Sequence, residues 1–211
     1  MTLNPEELNA LVTQTSLALQ TIQDQFGREI IPEAQVRFPR GFIRTAGALR
    51  KDLPLLGTDI QRRNASYALM TSDILRWLVV RTDLSGPALS LIVKEGICIL
   101  GTLCEWLTKE ATRGYASNRP YKLRTQKLLD LGLISTDMKT ELDWIWDIRC
   151  REHLHEVSAL ECYMYSRIDY NRAQKAYSNL RDNLVNSVQC GEGITSASQA
   201  TRQSRATDFT H

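Results

Sequence analysis

The sequence predicts an all-α fold, a helical bundle of about five main helices. Apolar residues recur at helical spacing from Asn4 to Val188. No segment shows sustained strand alternation. Gly27, the run Asp83-Leu-Ser-Gly-Pro87 and Gly132 punctuate the periodic stretches.

The first helix is expected to start at Asn4-Pro5-Glu6-Glu7, which supplies a cap, a proline in the first turn and early acids. Gly27 ends it after Phe26. Leu8, Leu11, Leu17 and Ile22 form its apolar side. Residues 28–57 read as irregular, because Pro32, Pro39 and Pro54 break any long element. Between Ala34 and Lys51 there is no acid, while Arg37, Arg40, Arg44, Arg50 and Lys51 interleave with Phe38 and Phe42. Such a stretch suits a phosphate backbone, and equally a solvated connector anchored by its aromatics.

A second helix is expected from about Thr58-Asp59 to Thr82, with Tyr67, Met70, Ile74, Trp77 and Leu78 as its apolar stripe. A third, from about Pro87 to Ala111, is apolar around much of its circumference and reads as the central buried helix. Gly96 and Gly101 inside it permit a close helix crossing. Residues 113–121 read as a loop, and a short helix follows from about Lys122 to Leu131. Ser135 caps the next helix, expected to run to about Val157. The last helix spans about Asp169 to Val188, with a stripe of Ala173, Ala176, Tyr177, Leu180 and Leu184. Residues 1–57 are thus expected to pack on a helical domain of residues 58–189. After Cys190 the chain turns to Ser, Thr, Gln and Ala, so residues 190–211 read as a disordered tail.

With 211 residues the chain suits one good core better than two full domains. A net charge of +2 provides no global field toward nucleic acid or membrane. Five cysteines, Cys98, Cys104, Cys150, Cys162 and Cys190, form no CxxC and an odd count, which reads as reduced thiols. The start has no basic run typical of a signal peptide. The apolar run Gly96 to Cys104 is too short to span a bilayer. The expectation is a soluble cytoplasmic protein with no membrane association.

Chemistry concentrates in Leu142 to His155, LDWIWDIRCREHLH. Leu142, Ile145 and Ile148 share one line, and then Arg149, Arg151, Glu152, His153 and His155 follow abruptly. A cluster of Arg and His at the end of a buried helix needs partners or a cleft. There is no P-loop, GxGxxG, GxSxG or HExxH. Cys150, His153, His155 and Cys162 meet no standard zinc spacing, so no metal and no cofactor is expected. Basic side chains at a helix C-terminus also answer the helix dipole without any chemistry.

The Arg-x5-His of Arg149 to His155, at the end of an amphipathic helix led in by LLDLGLISTDMKTELDWIWDI, resembles the signature of the HEPN family. The resemblance covers roughly residues 59–188, and many members carry Asn where this chain has Cys150. It implies a metal-independent endoribonuclease, often a toxin or phage-defence effector. Arg149 would bind the phosphate and His155 would move protons. In that reading Arg151, Arg113, Arg119, Lys122 and Arg124 are candidate RNA-binding residues, with Tyr115 and Tyr121 among them. Residues six apart on a straight helix differ by about 120° and about 9 Å. Members of the family usually resolve this by dimerising through the motif helix, whose Trp144 and Trp146 suit an interface. Arg149 and His153, four apart, share a face, so His153 is an alternative working histidine. The resemblance further implies an antitoxin partner, often of nucleotidyltransferase type. A different class of function is a non-catalytic HEPN-like module that binds a partner or a nucleotide.

Overall fold

A computed structural model describes residues 3–54, 57–151, 160–161 and 163–189. Among them are seven α-helices, one 3-10 turn and no strand. The chain divides into two compact units, residues 1–40 and 41–211.

The first unit holds α1 (Pro5–Phe26) and the 3-10 turn Pro32–Ala34. Asn4 accepts from the Glu7 amide at 2.8 Å, and Glu7 returns the bond to the Asn4 amide at 2.9 Å. Gly27, at φ 57°, ends the helix in a conformation that L side chains rarely adopt. No residue of α1 is buried.

The second unit begins with a helix that the prolines concealed, α2 (Ala46–Lys51). Thr45 caps it, accepting from the Ala48 amide, and Leu49 is buried beside Leu53. The expected irregular connector therefore ends well before residue 57, and its last part joins the core. Next come α3 (Asp59–Arg81), α4 (Gly86–Ala111), α5 (Tyr121–Asp130), α6 (Thr136–Cys150) and α7 (Arg167–Gln189). Thr58 and Gln61 close a capping box on α3, and Ser135 caps α6 as expected.

The core is built around α4, which packs against α3, α5, α6 and α7. By length and composition α4 would also suit a bilayer crossing, yet more than half of its apolar window is buried within the protein. Its glycines permit the close crossings. A Cβ on Gly96 would lie 2.5 Å from Cε2 of Tyr170, and one on Gly101 would lie 3.1 Å from Cβ of Arg149 and Cγ2 of Ile145. Leu142, Ile145 and Ile148 of α6, and Ala173, Ala176, Tyr177, Leu180 and Leu184 of α7, are all buried.

Two expectations are corrected. The buried face of α3 is Ala65, Ser66, Leu69, Ser72, Asp73 and Val79, whereas Tyr67 and Ile74 are exposed. Small polar residues let α7 approach closely, and Tyr170 Oη donates to the Ser72 carbonyl at 2.9 Å. Asp73 is held by Arg44, which donates from its backbone amide, Nε and Nη2. The motif helix ends at Cys150 rather than near Val157. The Arg151 amide bonds the Ile148 carbonyl at 2.9 Å, tightening the last turn, and the Arg151 carbonyl is taken by Lys94 Nζ at 2.7 Å. His153, His155 and Cys162 lie outside the described residues, as does the expected tail of residues 190–211.

Candidate functional site

Arg149 occupies the last turn of α6, facing α4. The apolar spacing that buries Ile145 and Ile148 brings Arg149 over Gly101, and the absence of a side chain there lets the arginine stem lie flat on α4. Its Nη2 stands 3.4 Å from Oε2 of Glu105, and its guanidinium lies 5.1 Å from the Trp146 ring centre. Its Nε is buried with no hydrogen-bond partner among the described residues.

Glu105 is the residue that periodicity overlooked. It is the single charged residue between Gly96 and Thr108, which is the signal that could have found it. It is half-buried and receives a second arginine from α5, with Arg124 Nη2 at 3.8 Å from Oε1. Arg124 itself is buried, lies 5.6 Å from the Tyr121 ring centre, and donates through Nη1 to the Arg119 carbonyl at 2.9 Å. A guanidinium so enclosed supplies charge from behind the surface, not direct contact with a long polymer. Tyr121 stacks on Trp146 at 4.5 Å and 7°. Trp146 thus contacts both Tyr121 of α5 and Arg149 of its own helix, linking α5 to α6.

Two arginines against one carboxylate leave this corner net positive. Lys122 stands at the exposed start of α5, where Asp147 of α6 pairs with it at 2.7 Å and offsets its charge. Cys150 follows Arg149 directly, and burial pushes its thiol up against the opposing pull of Arg149. Arg119 is exposed on the approach to α5. Arg151 is exposed as the α6 cap. Arg113 is engaged elsewhere, in an ion pair with Glu110, whose carboxylate also meets Gln61 at the start of α3. The structure therefore gathers Arg149, Arg124 and Lys122 around Glu105 and Asp147, and leaves Arg113 apart.

One side chain bridges Arg151 and Glu161, described residues on either side of His153 and His155 in the sequence. Lys94 Nζ donates to the Arg151 carbonyl on one side and forms an ion pair with Glu161 on the other. Tyr165 Oη donates to Glu161 Oε1 at 2.9 Å, and Ser90 Oγ donates to the Glu161 carbonyl at 3.1 Å while accepting from the Tyr165 amide. Burial and the Glu161 carboxylate push the Tyr165 hydroxyl up to about 12, so it remains a donor near neutrality.

The two tryptophans expected at a dimer interface each have a partner within the chain. Trp146 contacts Tyr121 and Arg149, and Trp144 has the Arg172 guanidinium 3.9 Å from its ring centre. Among the described residues no group of three or more His, Cys, Asp or Glu side chains is arranged to hold a metal. Compared with known proteins, the chain matches no protein-family model, no curated protein and no solved structure.

Proposed function

We propose that the chain is an RNA endonuclease of the HEPN type, acting without a metal on the ribose 2′-hydroxyl. One observation supports the reading: Arg149 stands in the last turn of α6, a few residues before both histidines in the sequence, and Lys94 holds Arg151 and Glu161, the described residues on either side of them. In the reaction the 2′-oxygen attacks phosphorus and the P–O5′ bond breaks. The 2′-hydroxyl proton passes to a base and the 5′-oxygen takes up a proton, leaving a 2′,3′-cyclic phosphate and a 5′-hydroxyl. His155 is the proposed proton carrier, with His153 as the alternative, since imidazole titrates near neutrality. Arg149 binds the phosphate and opposes the charge that develops on it. Arg119 and Arg151 supply exposed positive charge along the same end of the bundle, where Lys122 stands paired with Asp147. The assembly proposed is a cytoplasmic homodimer, held in check by an antitoxin-like partner or an equivalent defence regulator.

A second reading is a non-catalytic HEPN-like module that binds a protein partner or a nucleotide. It is favoured by Glu105, which already neutralises Arg149 in part. Cleavage of structured RNA in EDTA, with analysis of the new ends, separates the two. Cyclic phosphate ends that disappear in both Arg149→Ala and His155→Ala support the enzyme. Activity lost in His153→Ala and kept in His155→Ala moves the proton carrier by one register. A folded wild type that cuts no RNA favours the module.

A further inference from the structure

The first helix is well formed but buries nothing. Its ends are set by the Asn4–Glu7 capping box and by Gly27, yet no residue of α1 is buried. Propensity alone holds a helix only weakly in water, and most of its stability comes from packing an apolar face.

That face is a single seam. Leu8, Val12, Thr15, Leu19, Ile22 and Phe26 follow one another at alternating steps of four and three. This is the spacing of the a and d positions of a coiled coil. On a helix of 3.6 residues per turn they fall within about 80° of one another. Leu11 and Ala18 widen one edge, whereas Leu17, expected on the same side, falls opposite Leu8. Leu8, Leu11, Val12 and Leu19 are each about half exposed. Thr15 is the polar member of the seam, and its Oγ1 already donates to the Leu11 carbonyl at 2.8 Å. The seam can therefore lose its water without stranding a donor.

The flanks indicate what covers it. Asn9, Ser16 and Gln23 border the seam on one side, and Leu11, Ala18 and Gln25 on the other. These are the e and g positions, where charge selects a differing partner. All of them are uncharged, so an oppositely charged helix gains nothing and an identical helix meets no repulsion. Nor does α1 carry any Lys or Arg, so it lacks the basic polar face that seeks an anionic membrane. Laid antiparallel on a copy of itself, the seam is self-complementary. Leu8 faces Phe26, Val12 faces Ile22 and Thr15 faces Leu19, each pair joining an a to a d position. That order keeps the Glu6 and Glu7 of the two copies at opposite ends, whereas a parallel pair would set like charges side by side.

We propose that α1 forms the seam of a homodimer, packed antiparallel against α1 of a second copy of this chain. This gives the homodimer an interface distinct from α6, whose tryptophans already have partners within the chain. It does not rest on the nuclease reading.

The test is sedimentation equilibrium of the full chain, from micromolar to near-millimolar loading. Wild type is expected to pass from monomer to dimer across the series. Val12→Glu with Leu19→Glu should stay monomeric, while Leu17→Glu, off the seam, should dimerise like wild type. Val12→Glu with Ile22→Lys places opposite charges face to face only in antiparallel order, and should dimerise more strongly than Val12→Glu alone. Urea midpoints at the lowest concentration should match wild type for every variant, because α1 contributes nothing to the buried core. A wild type that stays monomeric overturns the proposal, as does a Val12→Glu, Leu19→Glu chain that dimerises like wild type. A large fall in its urea midpoint would show that the face covers the chain's own bundle, and overturns it too. A Val12→Glu, Ile22→Lys chain no better than Val12→Glu overturns the antiparallel order.

Discussion

Lys94 and Glu161 form an ion pair whose side chains are only 4% and 7% exposed. It joins the middle of α4 to the chain just before α7, and the same ammonium holds the Arg151 carbonyl at the end of α6. Removing one partner of a buried pair leaves an uncompensated charge, which costs about 3–5 kcal/mol. Lys94→Met is expected to lose stability on that scale in urea melts. Lys94→Met with Glu161→Gln should recover much of it, because the amide still accepts from Tyr165 and carries no charge. A double variant no better than the single one would show that the ammonium acts mainly through the Arg151 carbonyl.

Glu105 is expected to orient Arg149. If the nuclease reading holds, Glu105→Gln should lower kcat by roughly ten- to a hundred-fold and leave KM nearly unchanged, the signature of a misplaced phosphate ligand. Steady-state cleavage assays separate this from competition. A fall in KM at constant kcat would mean that the carboxylate merely competes with RNA for the arginine.

The glycines of α4 and α2 are expected to differ in sign. Gly96→Ala drives a methyl into the Tyr170 ring, against a buried aromatic that is anchored by Ser72. Overpacking of this kind costs about 1–3 kcal/mol. Gly47→Ala in α2 meets nothing closer than Thr45 Oγ1 at 4.0 Å and should stabilise by about 0.4–1 kcal/mol. Thermal melts of the two variants check the contrast.

Alkaline pH should unfold the bundle. Burial raises the Cys104 thiol from 9.0 to about 12, and burial with Glu161 raises the Tyr165 hydroxyl from 10.0 to about 12. Between those limits the folded state keeps protons that the unfolded chain releases. Their contribution is fully present below about pH 9 and is lost as pH rises toward 12. Urea midpoints flat from pH 7 and falling beyond pH 9 are expected, and a rise across that window would contradict the assignment. In the native protein at pH 8 the Cys104 thiol should resist alkylation, since a buried, protonated thiol is a poor nucleophile.

The helices themselves were legible in the sequence. Their signals act within one turn: Asn4 and Ser135 bond amides three residues on, and Gly27 stops α1. The stripes of α6 and α7 were legible too, because an uninterrupted apolar line on a polar helix has one face to bury. The small helix α2 was hidden by its prolines, since a few residues carry too little periodicity to register against them. Tertiary structure alone chose the buried face of α3. There Ser72 and Asp73 are buried because Tyr170 and Arg44 reach them from 98 and 29 residues away, while the more apolar Tyr67 and Ile74 stay outside. The same holds for Glu105 beside Arg149 and for Lys94 beside Glu161. A lone charge in an apolar helix shows in the sequence that a partner is needed. Which partner it meets depends on how helices cross, and that is set by the packing of whole faces around Gly96 and Gly101 rather than by any local spacing.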